Sequence, residues 1–332
     1  MMIPSLKGMK SISELQDLFN HELAAQSFSG EPEELYKPFG YMMSLGGKRI
    51  RPVMLLHACE MFGTDASQAM QQALAIELFH NFTLIHDDIM DNAPLRRGLP
   101  SVHEKFGNTV AILSGDAMLV TAYKYLLHTN PQKLPTLLNL FNEAAIKVCE
   151  GQQLDMNFER LQELKVSDYL NMIELKTASL IAASLKMGAI VGGAAAEDAE
   201  HLYNFGKQLG ISFQLKDDWL DSFGSTEKTG KQPGGDILQN KKTFLLIEAM
   251  NSADEKVKQE LQDWYSVAHF NPAEKIDAVL KLFGKIGISE LAQKETAKHY
   301  QQALSYLDQV SVHETNKSSL RKLSENLLHR DK

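Results

Sequence analysis

Apolar residues recur at three- and four-residue spacing along most of the chain, which is the period of an α-helix. The pattern is clearest over 70–91, where apolar side chains cover much of a helix surface. Alternating strand patterns are scarce, and no Asn-Gly turn joins two such runs. An all-α fold is therefore predicted. The same spacing predicts further helices at 106–128, 135–165, 168–190, 201–223 and 240–262.

The connections between these helices are short and contain Pro or Gly, as in 92–100 and 224–235. No linker rich in Ser, Gly and Pro divides the chain, so we expect residues 1–332 to form one domain. Helices that are apolar on most faces, such as 109–127, should lie at its centre. The most apolar segment, 179–196, contains a lysine and three glycines, which favours a buried helix over a membrane span.

Composition narrows the possible partners and the compartment. The 332 residues have a net charge of −8, which disfavours nucleic acid as the main partner. Cys59 and Cys149 are isolated, so neither a disulfide framework nor a structural zinc site is expected. The N-terminal residues lack the long apolar core of a signal peptide. A cytoplasmic protein is predicted.

One acidic pattern occurs twice in the chain. LIHDDIMD at 84–91 is echoed by QLKDDWLD at 214–221, with two adjacent acids and a third acid four positions after the first. Residues four apart share a helix face, so Asp87 and Asp91 should project together, with Asp88 at the edge. The second motif repeats this arrangement with Asp217, Asp221 and Asp218.

Carboxylates this close to one another need a cation when they are not fully solvated. Mg²⁺ suits them, because it binds one or two carboxylates, keeps several waters and completes its shell with substrate phosphates. A single motif of this kind could be ordinary solvated surface, but apolar residues flank both copies. On opposed helices the two motifs would form a carboxylate-lined cavity.

Basic side chains near both motifs are candidates for binding phosphate. GGKRIRP at 46–52 combines glycines, which allow close backbone approach, with positive charge. It is not a nucleotide-binding P-loop, because Met42 and Arg49 stand where that motif needs Gly and Ser or Thr. Arg96 and Arg97 follow the first acidic motif in a loop and could reach back to it. The basic residues that follow the second motif are Lys231, Lys241 and Lys242.

These motifs together resemble the trans-isoprenyl diphosphate synthases, the family that includes farnesyl and geranylgeranyl diphosphate synthases. The resemblance implies a single helical bundle around a deep central cavity, usually in a homodimer. It also implies Mg²⁺-dependent condensation of isopentenyl diphosphate with an allylic diphosphate. The matching stretches are GGKRIRP (46–52), DDIMD to RR (87–97), LSGDAML (113–119), EGQQLDM (150–156), KTA (176–178), FQLKDDWLD (213–221) and GKQPGGD to NKKT (230–243).

The resemblance also implies residue roles. The implied metal ligands are Asp87, Asp88, Asp91, Asp217, Asp218 and Asp221. The allylic diphosphate contacts are Arg96, Lys176 and Lys231, with Lys241 in a closing loop. The isopentenyl diphosphate site is Lys48, Arg51, His80 and Arg97, although a lone His on an apolar helix is more often a core residue. Thr177 and Gln214 match residues near the reacting carbons. Asn240 replaces a frequent Gly before Lys241, which leaves open whether Lys241 or Lys242 fills that position.

Phe82, five residues before Asp87, is the candidate determinant of product length. An aromatic side chain there resembles farnesyl and geranylgeranyl synthases more than synthases of long quinone side chains, although plain core packing would also explain it. The rival functions are a longer-chain polyprenyl diphosphate synthase, a terpene cyclase and a non-catalytic synthase subunit. DDWLD and GGKRIRP disfavour the cyclase, and two intact acidic motifs disfavour the non-catalytic subunit.

Overall fold

The computed structural model describes residues 9–161, 163–224 and 234–328, and the predicted all-α fold is confirmed. The α-helices are α1 (Ile12–Ala25), α2 (Glu33–Ser44), α3 (Ile50–Met61), α4 (Met70–Met90), α5 (Val102–Phe106), α6 (Asn108–Leu126), α7 (Leu134–Phe158), α8 (Val166–Ile173), α9 (Ser179–Gly192), α10 (Ala196–Phe223), α11 (Gly235–Leu238), α12 (Phe244–Ser252), α13 (Glu255–Ser266), α14 (Pro272–Ile286), α15 (Ile288–Gln309) and α16 (Glu314–Leu328). A 3₁₀ turn (Ala66–Ala69) precedes α4, and a π-helical turn (Glu174–Ala178) joins α8 to α9. Strands β1 (Leu95–Arg96) and β2 (Leu99–Pro100) form a small antiparallel hairpin.

The described residues divide into two compact units. The first unit contains the residues up to 143, together with 183–203 and 310–320. The second contains 144–182, 204–309 and the residues from 321 onward. The single-domain prediction for residues 1–332, and the central cavity within it, stay predictions.

In the first unit, α3 is the most deeply buried helix, since every residue from Pro52 to Met61 is buried. Two glycines of α9 permit this burial. A Cβ on Gly188 would lie 2.0 Å from the carbonyl oxygen of Leu55, and one on Gly192 would lie 2.7 Å from that of Cys59. The close packing explains why the apolar segment contains glycines. The helical stretch Val166–Gly192 is long and apolar enough to cross a membrane by composition, but 67% of its most apolar window is buried inside the protein.

The prediction that 109–127 lies at the centre is wrong. Helix α6 packs one face on α4 and α2, while several large apolar residues on its other face are exposed. Composition alone misled here, because an apolar helix is central only when neighbours cover it on all sides. The exposed large apolar residues of this face, called here the α6 apolar face, are Ile112, Leu113 and Val120 of α6 and Leu127 directly after it. The exposed Asp116 lies among them.

The second unit has its own apolar core, built from α8, α12, α14 and α15 together with parts of α10 and α13. The predicted helix 240–262 is interrupted, because Asp254 accepts a hydrogen bond from the backbone N–H of Val257 and starts α13 anew. The predicted helix 135–165 ends at Phe158. The Asp168 carboxylate accepts the backbone N–H of Lys165 at 3.0 Å and begins α8 there.

Candidate active site

The first acidic motif lies at the end of α4 in the first unit. The backbone N–H of Asp91 donates to the carbonyl of Asp87 at 2.9 Å, so the two acids are one helical turn apart on one face, as predicted. Asp87 is half-buried and Asp91 is exposed, while the edge acid Asp88 is buried. The three acids therefore have different surroundings despite their proximity in sequence.

Arg96 neutralises the edge acid. Its Nε lies 3.0 and 3.1 Å from the two carboxylate oxygens of Asp88, and its Nη2 donates to the same carboxylate. Asp87 is more distant, at 3.9 Å from Nη2. Burial raises the pKa of Asp88, and the guanidinium of Arg96 opposes that rise. Arg96 thus reaches back to the motif as expected, but its close partner is Asp88.

Arg97 does not reach the acidic motif, contrary to expectation. It follows β1 at the tip of the hairpin, where Arg97 (φ 56°) and Gly98 (φ 79°) are both in the left-handed region, as a two-residue hairpin turn requires. Its guanidinium donates to the carbonyl of Gly46 and lies against Gly47, where a Cβ would be 2.9 Å from Nη2. The two arginines of the hairpin therefore have different partners: Arg96 binds Asp88, and Arg97 binds the backbone of Gly46.

His80 lies in a group of arginines in the same unit. The Nη1 of Arg51 is 3.3 Å from the Nε2 of His80. Burial and the charges of Arg51, Arg97, Arg96 and Arg49 hold the pKa of His80 well below its ordinary value. His80 is therefore neutral and can accept a hydrogen bond from Arg51. Such a concentration of guanidinium groups suits a diphosphate anion.

A buried ion pair lies behind this group and was not predicted. Arg49 has a left-handed backbone (φ 51°) and pairs with the carboxylate of Glu77. The Nδ2 of Asn81 donates to the same carboxylate at 3.0 Å. In the sequence, Arg49 is one of the positive charges of the stretch 46–52 and has no predicted partner. The signal was Glu77 itself, an acid within an apolar helix. The remaining predicted residue of this group, Lys48, is exposed.

Phe82 is buried in a cluster of aromatic rings that pack at tilted and edge-on angles. Its ring centroid lies 5.6 Å from that of Phe79 and 4.7 Å from that of His86. His86 lies over Gly115 of α6, where a Cβ would be 2.5 Å from its Nε2. This aromatic cluster is compatible both with core packing and with a role in product length, so the latter stays a prediction.

The π-helical turn of the second unit contains Lys176 and Thr177. Two glycines let neighbouring helices approach it: a Cβ on Gly151 of α7 would lie 2.3 Å from the backbone N of Lys176, and one on Gly210 of α10 would lie 2.5 Å from the Cα of Ala178. Single π turns often occur at functional sites. The helical period gave no sign of this turn.

A chain of hydrogen bonds links the π turn to the second acidic motif. Thr177 donates to Gln214 Oε1 at 3.1 Å, and Gln214 Nε2 donates to Asp218 Oδ1 at 3.0 Å. Tyr169 donates its hydroxyl to the other oxygen of Asp218. Burial and the nearby Asp236 raise the pKa of Asp218 to about 7. The edge acid is therefore held by neutral donors.

Two further acids, Asp236 and Asp155, lie near the second motif and were not predicted. The Asp236 backbone N–H donates to Asp221 Oδ2 at 2.9 Å, and a Cβ on Gly235 would lie 3.1 Å from Asp221 Oδ1. Burial raises the pKa of Asp236 to about 6, and neighbouring acids including Asp221 add to the rise. The Nζ of Lys176 donates to Asp155 Oδ2 at 2.7 Å and forms an ion pair with it. Both acids lie in motifs that carried the family resemblance, but a lone acid gives no periodic signal.

The geometry separates the two candidate lysines after α11. Lys241 Nζ lies 3.9 Å from Asp236 Oδ1, whereas Lys242 donates to the carbonyl of Leu161. Lys241 is therefore the one that faces the carboxylates. The third candidate, Lys231, lies outside the described residues.

The donor set fits Mg²⁺ bound through substrate. Among the described residues, no three His, Cys, Asp or Glu side chains are arranged to hold a metal ion by themselves. The acids supply hard carboxylate oxygens in pairs one helical turn apart, as at Asp217 and Asp221 of α10. Such a pair suits an ion that keeps waters and takes oxygens from phosphate. The six predicted metal ligands, and a cavity joining the two motifs, stay predictions.

Comparison with known proteins identifies the family. The model of the polyprenyl synthetase family matches residues 32–283, most of the chain and both acidic motifs. The chain belongs to the polyprenyl synthetase family. It is therefore a trans-prenyltransferase.

Individual members of the family are similar over most of this chain. It is 44% identical to a geranylgeranyl diphosphate synthase of Methanosarcina mazei over 220 residues, which are 66% of this chain and 68% of the relative. It is 34% identical to a short chain isoprenyl diphosphate synthase of Methanothermobacter thermautotrophicus over 92% of this chain and 93% of the relative. A crystal structure of a geranylgeranyl pyrophosphate synthase has a TM-score of 0.93 at 39% identity, covering 97% of this chain and 99% of that structure.

Proposed function

We propose that this prenyltransferase condenses isopentenyl diphosphate with an allylic diphosphate in the presence of Mg²⁺. The proposed product is a short all-trans prenyl diphosphate, either geranylgeranyl or farnesyl diphosphate. One observation carries the proposal: Arg96 is bonded to the buried edge acid, while Asp87 and Asp91 share the adjoining face of α4. The names of the similar synthases favour geranylgeranyl diphosphate.

The proposed isopentenyl diphosphate site is the arginine group of the first unit. Arg51 and Arg97 would each offer a planar fork of donors to the diphosphate oxygens, with Lys48 adding a flexible charge. Neutral His80 accepts from Arg51 and thereby orients it without competing for the anion. Arg97 rests on the backbone of Gly46, which fixes its position.

The proposed allylic diphosphate contacts are Arg96, Lys176 and Lys241, with Lys231 added from the sequence. Bound Mg²⁺ would supply charge stabilisation for the leaving diphosphate. The lysines would stabilise the same charge as the allylic C–O bond breaks. The isopentenyl double bond then forms the new C–C bond, and the departing diphosphate takes the released proton. Thr177 and Gln214, joined by a hydrogen bond, would place their oxygen dipoles near the allylic cation.

Product length is proposed to depend on Phe82. Its ring is held between Phe79 and His86, so it cannot swing aside without disturbing both. A growing chain that met this ring would stop. Phe82→Ala should therefore lengthen the product, whereas an unchanged product would mean that Phe82 is only a packing residue.

A homodimer is proposed through the α6 apolar face. Exposed large apolar residues on one helix commonly mark an interface, and Val120 and Leu127 are 62% and 63% exposed. A second copy of the chain is the proposed occupant, because the same face on each copy would be self-complementary. Val120→Asp should shift the protein to monomer in sedimentation; a wild-type monomer would refute the dimer. A cytoplasmic location stays a prediction from the sequence.

The decisive experiment incubates the purified protein with Mg²⁺, isopentenyl diphosphate and each allylic primer, and then measures product size. Products of 15 or 20 carbons support the proposal. Longer products favour the longer-chain synthase, and cyclised hydrocarbons favour the cyclase. Absence of any product with every primer would overturn the proposal and favour the non-catalytic subunit.

A further inference from the structure

Lys275 of α14 is a fully buried lysine that the proposed mechanism does not use. It is 0% exposed, and its Nζ lies 4.2 Å from the ring centroid of Phe270 and 5.2 Å from that of Tyr265. Its hydrogen-bond partner is the side-chain oxygen of Asn240. No carboxylate in the described ranges forms an ion pair with it. A lysine is almost never buried to this degree without a partner, so the bond to Asn240 needs an explanation.

Asn240 occupies a demanding backbone position. Its φ is 56°, in the left-handed region. The backbone N–H of Asn240 donates to Ile237 at 3.2 Å, and that of Lys241 donates to Asp236 at 2.9 Å. These two bonds form a Schellman motif that ends α11, where the left-handed residue is usually Gly. Asn tolerates that conformation, which explains the departure from the family pattern, and it adds a side chain that a Gly lacks.

The Schellman motif holds two proposed active-site residues, Asp236 and Lys241, next to each other. Its closing bond joins the backbone of Lys241 to that of Asp236, and the Nζ of Lys241 lies 3.9 Å from the Asp236 carboxylate. Helix α14 also contacts the other end of the segment, because a Cβ on Gly234 would lie 2.8 Å from Cγ1 of Ile276. Helix α14 therefore contacts both ends of the segment 234–240.

We propose that the buried Lys275 and the exposed Asn240 form a clamp that positions Asp236 and Lys241 toward the allylic diphosphate. The clamp rests on the proposed function for its catalytic consequence. Lys275 is a positioning residue, since it touches Asn240 and two aromatic rings. It gives helix α14, a helix in which the sequence shows no family motif, a definite role in the reaction.

The first test replaces Lys275 with Met, which keeps the length of the stem and removes the donor. We expect kcat/KM for the allylic diphosphate to fall about tenfold, the size of effect that follows when one charge-assisted hydrogen bond is lost. KM for isopentenyl diphosphate should not change. The matched control is Lys281→Met on the same helix, where the lysine forms an exposed pair with Asp277 and no effect is expected.

Variants at Asn240 test whether the loss in Lys275→Met comes from the missing hydrogen bond or from misfolding. Asn240→Gly keeps the left-handed backbone but removes the acceptor, so it should reproduce the Lys275→Met loss, and the double variant should be no worse than either single one. Asn240→Asp tolerates the same backbone and offers Lys275 a carboxylate, so it should retain activity. A double variant with additive losses would contradict the clamp.

Hydrogen exchange separates failure of the clamp from failure of the proposed function. In the substrate-free protein, the peptide 234–243 should exchange faster in Lys275→Met than in wild type or Lys281→Met. Unchanged exchange and unchanged allylic kcat/KM would overturn the clamp. So would equal losses for both substrates accompanied by a lower Tm, which indicate general destabilisation. If wild type shows no prenyl transfer, the proposed function fails, and the exchange result alone decides whether the clamp exists.

Discussion

Asp88 and Asp218 occupy the same position in two similar motifs, and both are buried, but the protein surrounds them differently. Asp88 is paired with the guanidinium of Arg96. Asp218 accepts from two neutral groups, Tyr169 and Gln214. The first motif thus has a nearby counter-charge in Arg96, whereas a further acid, Asp236, lies beside the second motif. Equal sequence spacing therefore does not imply equal electrostatics.

The largest expected effect tests what the two motifs share. Asp87→Ala and Asp217→Ala should each lower turnover by about 10²–10³-fold, because each removes a carboxylate proposed to stabilise transition-state charge through the metal. Steady-state product formation measures this, and circular dichroism should show intact helices. Asp17→Ala, an exposed acid of α1, is the control. Near-normal turnover in either variant would remove that motif from the site.

The next effect concerns the lysines beside the second motif. Lys241→Met should lower kcat/KM for the allylic diphosphate by about 10–100-fold, since it removes a fixed cation from the proposed diphosphate site. Lys242→Met should have an effect of about twofold or less, because Lys242 donates to the carbonyl of Leu161. The reverse order would show that the contacts of these two lysines change when substrate binds.

The edge acids should differ in their effect on stability. Asp88→Asn leaves Arg96 without its closest charged partner and should lower the free energy of unfolding by about 2–3 kcal/mol. Asp218→Asn keeps an acceptor for one of two neutral donors and should cost about 1 kcal/mol. Urea unfolding of both variants measures the difference. Equal costs would mean that the two edge acids are held in equivalent ways.

The smallest expected effect is a pH dependence confined to the second motif. The pKa of Asp218 in the folded protein is about 7, whereas an unfolded aspartate has a pKa of about 3.9. Between those values the folded carboxyl keeps a proton that the unfolded chain has lost, so the free energy of unfolding falls as pH rises and then levels off above 7.

Comparison with Asp218→Asn isolates this contribution. Without Mg²⁺, the stability difference between wild type and the variant should shrink by an amount on the order of 1 kcal/mol from pH 5 to pH 7. A difference that is constant across this range would show that Asp218 is ionised in the fold at pH 5.

The features that could be predicted from the sequence were those with a periodic pattern of residues. The helical period located α4 and α10, and with them the spacing of Asp87 to Asp91 and of Asp217 to Asp221. The hairpin at Arg96 had no such signal, because its strands are two residues long. A one-residue capping event at Asp254 likewise divided a helix that looked continuous.

The partners of Asp155 and Asp236 could not be predicted from the sequence, for a different reason. Asp155 and Asp236 are distant from Lys176 and Asp221 in sequence and meet them only through tertiary packing. Glycines were the available clue. Gly151 and Gly210 mark the π turn, but a glycine shows only that something is close and does not identify it.

The central claim is that the acidic motifs act by holding Mg²⁺ against a diphosphate. Calorimetric titration of inorganic diphosphate into the protein tests this claim without catalysis, with Mg²⁺ present or with a chelator. We expect binding to wild type with Mg²⁺, and binding weakened at least tenfold by the chelator or by Asp87→Ala. Equal affinity with and without Mg²⁺, unchanged in Asp87→Ala, would contradict the account.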